Sequence, residues 1–387
     1  MRKNVRWLTA LALCLITACT ETPKEKPVEK LILTPVTFEA LPGWNADKLL
    51  EVLPALQRSC GVMLKKSPDQ KLSSGGTPQD WVQPCQQLIA ETPKNDQESR
   101  SFFERWFRPF AASTQAGDQG LFTGYYEAEL RGSYQQTGIY QTPLYARPND
   151  LIDVDLGEFK KDLKGQRIVG KVDGSKLKPY DERKTIAEGS LKERAKPLVY
   201  VSDPVDAFFL EVQGSGRVTL DHGDVLRLGY DGTNGRAYTA IGKAMADMQL
   251  LERPITMKDI RAWLKAHPLR EQEIMNLNSS YIFFRVIEGE GPIGAMGLPL
   301  TPHRSMAVDP THVALGTPLW LNIKDGEGAP LQKMVVAQDT GGAIKGAIRG
   351  DFFWGYGETA EKQAGSMQSQ GQYYLLLPKS VIIDVEK

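Results

Sequence analysis

The sequence has little that would mark a metalloenzyme, a nucleic-acid binder or a multi-span membrane protein. Histidine is scarce. The four present, His222, His267, His303 and His312, show none of the paired spacing of metal ligands. Only four cysteines occur, two of them within the first 19 residues, and the others, Cys60 and Cys85, stand far apart. No metal and no cofactor is expected. Charge of one sign is also missing. The 47 Lys and Arg balance 47 Asp and Glu, so no basic excess announces nucleic acid as a partner. No Gly-x-Ser-x-Gly occurs, and the single Asp-Thr-Gly at Asp339 lacks the second triplet that an aspartic protease needs. What remains is a soluble balance of 41 % apolar and 24 % charged residues in 387, long enough for two domains. The 36 Gly and 24 Pro supply much turn chemistry and lean toward a mainly β architecture.

The N-terminus reads as an export signal. Arg2, Lys3 and Arg6 precede the apolar run Leu8 to Ile16, which is too short to cross a bilayer as a permanent helix. Thr17, Ala18 and Cys19 follow as a small-residue cleavage site. The pattern resembles a bacterial lipobox, in which the Cys19 thiol receives the lipid and becomes the new N-terminus. Thr20 in place of Asp implies the outer membrane, with the protein facing the periplasm. Cleavage removes three of the 47 basic residues and none of the 47 acidic ones, leaving a net charge of −3, so acyl chains rather than charge would hold the membrane. The oxidising compartment and the even count favour a Cys60–Cys85 disulfide over two separate buried thiols.

Residues 19–36 form the lipidated Cys and a flexible tether rich in Pro, Glu, Lys and Thr. Helical spacing follows at Asp47–Cys60, Trp81–Ile89 and Asp96–Phe107. From Leu121 the texture becomes short strands with Gly turns. Residues 147–196, rich in Lys and Asp, read as surface segments and turns. Further helices are expected at Tyr238–Leu250, Thr256–His267 and Glu271–Leu277, and strands resume from Tyr281. There is no internal repeat.

Chemistry concentrates in Val335–Gly357, VVAQDTGGAIKGAIRGDFFWGYG. Val335–Gln338 reads as a buried strand, with Asp339 at its end before a tight turn at Gly341 and Gly342. Asp351, Lys345 and Arg349 follow, and Phe352, Phe353, Trp354 and Tyr356 offer flat apolar faces. Carboxylate, aromatic rings and close-approach backbone suit sugar chemistry. A glycosidic oxygen leaves only when protonated, and the acid must hold its proton near neutral pH. On residues alone, Asp339 can equally be a turn former and Asp351 a cap.

AVDPTHVALGTPLWL, VVAQDTGGAIKG and RGDFFWGYG resemble the three-aspartate domain, with Asp309, Asp339 and Asp351 at its three aspartates. TGYYEAEL, FFLEVQGSGRV and the stretch from Arg227 through GYDGTNGRAYTAIGK resemble the membrane-bound lytic murein transglycosylase A family. The likeness runs from about residue 121 to the C-terminus. It implies a double-psi β-barrel domain (37–127 plus 287–380, with the three-aspartate region at 301–378) and a second β-barrel-like domain, 128–286, inserted into it. A groove between them would hold peptidoglycan glycan strands. It also implies cleavage of the β-1,4 bond between N-acetylmuramic acid and N-acetylglucosamine without water, leaving a 1,6-anhydromuramic end. One carboxylate serves as acid and then base, unlike the two of ordinary glycosidases. That role falls to Asp351, although Arg349-Gly350 stand where the family pattern has His and Phe. Asp339 would polarise the site as a negative neighbour that keeps the proton on Asp351. Asp309 would support a turn.

Tyr125 and Tyr126 either stack on sugars or belong to the barrel core. Gln213 and Ser215 in QGSG are candidates to bond acetamido groups, Gly341 to let sugar approach, and Lys345 to meet a hydroxyl or carboxylate. A wall-synthesis protein complex is a further expected partner. The alternative reading is a non-catalytic peptidoglycan-binding outer-membrane lipoprotein; the presence of all three aspartates favours the enzyme.

Overall fold

The structure is a computed structural model that describes residues 30–191, 193–289 and 291–383. The leader, Cys19 and most of the expected tether lie outside the described residues. The chain begins with β1 (Ile32–Pro35), α1 (Leu53–Met63), α2 (Pro78–Ala90), α3 (Asp96–Trp106) and β2 (Phe107–Ser113). Next come β3 (Gly120–Ser133), β4 (Thr142–Tyr145), β5 (Ile152–Asp155), β6 (Arg167–Asp173), β7 (Lys176–Pro179) and α4 (Arg183–Ala187). β8 (Pro197–Val201), α5 (Pro204–Gln213), β9 (Ser215–Leu220), β10 (Val225–Thr233), α6 (Ile241–Asp247), α7 (Met257–Ala266), α8 (Glu271–Met275) and β11 (Ile282–Val286) follow. The last part holds β12 (Ser305–Val308), β13 (Pro318–Lys324), β14 (Pro330–Asp339), β15 (Arg349–Tyr356), α9 (Glu358–Ser366) and β16 (Gln368–Pro378).

The 14-residue β3 organises the molecule. Through Glu127 it pairs in parallel with β15, and at its start antiparallel with β16. From β16 the pairing runs through β13, β14, β12 and β15 back to β3, so six strands close into a ring. Closure leaves these strands no free edge. From Ala128 onward β3 changes partners, pairing with β9 and, near its end, with β8. On one side β9, β10 and β11 continue; on the other, β8 and β4; an Ala146–Phe284 bridge joins the far ends. A barrel and a second β unit thus share one strand, the mainly β architecture with an inserted domain that the motifs implied. The change of partner falls between Glu127 and Ala128.

The helices α1 to α3 cover one outer face of the first ring. Trp81, Phe103 and Phe107 are buried there against Trp320, Met334, Val336 and Leu376. A disulfide between Cys60 and Cys85 ties α1 to α2. The helix expected at Asp47–Cys60 starts only at Leu53. Asp47 is drawn aside, its carboxylate accepting from Arg304 and from the Met334 N–H, and a 3-10 turn, Leu49–Val52, stands where the helix was expected to begin.

Two expectations need correction. Ile32–Pro35, assigned to the tether, is strand β1, and it pairs with β2 from Ile32–Ser113 to Pro35–Phe110. Residues 147–196 are more than surface turns. They hold the three-stranded sheet β5-β6-β7 and contribute Leu151, Tyr180, Ile186, Leu191 and Ala195 to a separate core with Tyr281 and Phe283.

Candidate active site

Strand alternation decides what faces the groove. Side chains two apart share a face, so Thr123 and Tyr125 point one way and Tyr126 the other. Tyr125 packs with Leu300, Ala307, Ile344 and Phe353 in a small apolar floor beside the groove. Tyr126 turns into the core shared by the two rings, its hydroxyl donating to Glu361 at 3.1 Å. Gly124, between Thr123 and Tyr125, lets Trp354 close in, for a Cβ there would meet Trp354 Nε1 at 2.6 Å. Of the four aromatics that the sequence offered as flat faces, Phe352, Phe353 and Trp354 are core residues. Tyr356 is exposed and lies under the Arg217 guanidinium, 3.6 Å from the ring centroid.

The groove has a volume of about 540 Å³ and is bounded by both β units. Asp339 and Asp351 both line it, from the end of β14 and the start of β15. Asp351 sits between β12 and β3, opposite Ala307 and Thr123. The Thr123 hydroxyl donates to Asp351 Oδ1 at 2.6 Å, and Arg349 Nη2 donates to the Thr123 oxygen at 2.9 Å. Burial pushes the Asp351 carboxyl up, against the Thr123 hydrogen bond and the Arg349 charge.

Asp339 is held differently. Oδ1 accepts from the Ala295 and Thr340 N–H groups, each at 2.9 Å, and Oδ2 from the Tyr125 hydroxyl at 3.0 Å. These three donors favour the charged form. Burial outweighs them and lifts the pKa to about 6, with the Asp351 charge a smaller contribution in the same direction. Desolvation, rather than a negative neighbour, is therefore the main cause that raises the pKa of the Asp351 carboxyl.

The remaining candidates divide. Asp309 accepts from Thr311 N and Oγ1 at 3.1 and 2.7 Å and from Gly346 N at 2.9 Å, so it pins the Gly-rich loop to the turn after β12. Burial raises its pKa, but these donors and the Lys345 charge outweigh burial and hold it below the usual value. Lys345 is exposed beside Asp309 and does not line the groove, because Gly346 turns the loop there with φ of +117°. That positive φ falls at Gly346, not at Gly341 or Gly342. Gly341 does line the groove, as does Gln213, whose Oε1 accepts from the Tyr126 N–H at 3.1 Å. Ser215 opens β9, paired with Gly229, and does not line it. Tyr125 touches Asp339 edge-on through its hydroxyl instead of offering a stacking face.

Three contributors escaped the sequence reading. Thr123 orients Asp351. Tyr238, 43 % exposed, lines the groove, and both burial and the Asp351 charge raise its pKa. The helix expected from Tyr238 begins at Ile241, which leaves Tyr238 free to face the groove. Arg183 and Glu211 form a buried pair in the groove wall, bidentate at 2.7 and 3.3 Å. Among the described residues no His, Cys, Asp and Glu cluster could hold a metal.

Comparison with known proteins adds to this geometry. The family described as "MltA specific insert domain" matches residues 121–285, and the "3D domain" family matches residues 304–377. The chain is 30 % identical over 278 residues to membrane-bound lytic murein transglycosylase A of Vibrio cholerae, covering 69 % of this chain and 68 % of that one. The crystal structure of a membrane-bound lytic murein transglycosylase from Agrobacterium tumefaciens superposes with a TM-score of 0.81 at 31 % identity, covering 90 % of this chain and 98 % of that chain. MltA from Neisseria gonorrhoeae, in its monoclinic form, gives 0.78 at 32 % identity, over 92 % of this chain and 95 % of that one.

Proposed function

The chain belongs to the membrane-bound lytic murein transglycosylase A family, and from that premise we propose a lytic transglycosylase of peptidoglycan that works through Asp351. The observation that carries the residue assignment is the setting of Asp351. It lines a groove between two β units, burial raises its pKa, and one side-chain hydroxyl donates to it. Because Thr123 occupies Oδ1, a proton on Oδ2 is free for the glycosidic oxygen. Its transfer breaks the bond between the muramic anomeric carbon and the bridging oxygen of N-acetylglucosamine. The Asp351 carboxylate then takes the proton of the muramic 6-hydroxyl, whose oxygen closes on the anomeric carbon as the 1,6-anhydro ring. Water enters neither step. Asp339, with three donors, is the ionised neighbour that stabilises positive charge at the anomeric carbon.

The protein is membrane-associated. Among the described residues no helix is long and apolar enough to cross a membrane. We assign the attachment to a lipid on Cys19 in the outer membrane, with the catalytic body facing the periplasm. A wall-synthesis complex is a proposed partner of the same compartment. Incubating the purified soluble form with peptidoglycan should release muropeptides whose mass shows an anhydro end. Products with ordinary reducing ends would overturn the transglycosylase reading, and intact sacculi would favour the wall-binding alternative.

A further inference from the structure

A second cavity, of about 660 Å³, opens beside the catalytic groove and shares Thr123, Val212, Tyr238 and Met257 with it. The two spaces are therefore neighbours, with Thr123, whose hydroxyl orients Asp351, in the wall of both. Their chemistry differs. The groove wall carries three carboxylates, Asp339, Asp351 and Glu211, balanced by three arginines, Arg183, Arg236 and Arg349. Among the described residues no acidic one lines the second cavity; its surface is more apolar than polar, with Ile241, Ile255 and Ile260, and its charged members are Lys243 and Arg253. Lys243 is exposed, and Arg253 meets Asp247 at 3.1 Å in an ion pair more than half exposed on both sides, which water and salt weaken. A neutral sugar chain gives two cations nothing to pair with. A short peptide with small apolar side chains and free carboxylates matches both the apolar lining and the charge.

We propose that this cavity takes the acidic peptide carried by the muramic residue, so that the enzyme reads the peptide arm as well as the glycan. The proposal rests on the reading of the groove as a peptidoglycan site. The glycan lies along the Asp351 groove, and its peptide branch passes Tyr238 into the cavity, where Lys243 and Arg253 meet its carboxylates. Two weak, partly solvated ion pairs imply a moderate effect on binding and none on the proton steps.

The test compares glycan strands that carry their peptides with strands from which an amidase has removed them, using Lys243→Glu/Arg253→Glu and the milder Lys243→Gln/Arg253→Gln. The KM on peptide-bearing strands should rise at least about fivefold more than on peptide-free strands, with kcat unchanged. High salt should shrink the preference in the unmodified protein. Equal rises on both substrates would make the cavity a sugar subsite, and no rise would leave the peptide in solvent; either result overturns the proposal. Failure of the underlying reading looks different, because the unmodified protein would then release anhydro products from neither substrate.

Discussion

Arg304 under the helical cover and the two aspartates of the groove are all enclosed, and their charges are met in opposite ways, while the groove wall's own Arg183–Glu211 pair is compensated as Arg304 is. Under the cover, Arg304 is 1 % exposed and answered at both terminal nitrogens, while its Nε has no partner. Asp47 meets it bidentately at 2.7 and 2.9 Å, Glu51 adds a contact at 2.9 Å, and the Lys48 and Met334 carbonyls accept at 2.8 and 3.0 Å. In the groove, Asp351 has a hydroxyl and Asp339 has donors, but among the described residues neither has a salt-bridge partner. Arg349, the nearest cation to Asp351, spends its hydrogen bonds on Thr123 and on backbone carbonyls. A compensated charge holds parts of a fold together; an uncompensated carboxyl is pushed toward its neutral form and becomes available for proton transfer. Position along the chain does not separate them: Arg304 opens the turn into β12, and β12 pairs with the strand that carries Asp351.

Asp351→Asn gives the sharpest break. If the uncompensated carboxyl is the acid, its amide should lower the rate of anhydro-product release by about 10³-fold or more while sacculus binding persists. Because the change removes a strained ionisation and no ion pair, the thermal midpoint should not fall. Retained turnover would transfer the acid role elsewhere, first to Asp339. A large drop in midpoint would mean that Asp351 is a structural charge like Asp47.

Asp47→Asn tests the other half. It leaves the Arg304 guanidinium buried with Glu51 as its one remaining carboxylate, itself 51 % exposed. Breaking one partner of a buried pair is costly, and the expected loss is about 3 kcal/mol in urea denaturation. Turnover per folded molecule should stay near that of the unaltered chain. A loss below about 1 kcal/mol would show that Glu51 and the carbonyls suffice, and the contrast between the two regions would weaken.

Local pattern carried much of the architecture, and it failed where partners are distant or signals compete. The apolar run before Asp339 was readable, and β14 ends at that residue. The two carboxylates stood out because Gly and aromatics surround them in one stretch. The alternation in TGYY already separates Tyr125 from Tyr126, and attention to that period would have assigned one to the groove and one to the core. Other features had no local mark. β1 has four residues, and its pairing partner β2 lies more than 70 positions away. In residues 147–196 the abundant Lys and Asp hid the apolar positions of β5, β6 and β7, and a network of Arg194 with Asp150 and Asp181 absorbs part of that charge. Tyr238 shares the groove with Asp351, more than 110 positions away in the chain, which a linear pattern does not contain.

The smallest effect has the opposite sign to the loss at Asp47. Burial pushes the Asp339 carboxyl up to about 6 in the folded chain, against an ordinary value of 3.8. The folded state therefore binds this proton more tightly than the unfolded state. The stability that it contributes is complete below pH 3.8 and is lost as pH rises through 6. Asp339→Asn removes the titration. Its amide oxygen still accepts from the Ala295 and Thr340 N–H groups, and its new N–H can donate to the Tyr125 hydroxyl, so any change in hydrogen bonding is an offset that does not vary with pH in this range. Asp351 titrates in both proteins, and its charge, the smaller cause of the rise at Asp339, adds a coupling that the difference includes. The variant should therefore gain on the unmodified chain as pH rises from 4 to 7, by on the order of 1 kcal/mol once solvent screening at the groove is allowed for. Thermal midpoints of both proteins across that range measure it. A difference that stays flat or shrinks would mean that the three donors balance the burial of Asp339, as Asp47 and Glu51 balance Arg304, and the groove would then hold one uncompensated carboxyl instead of two.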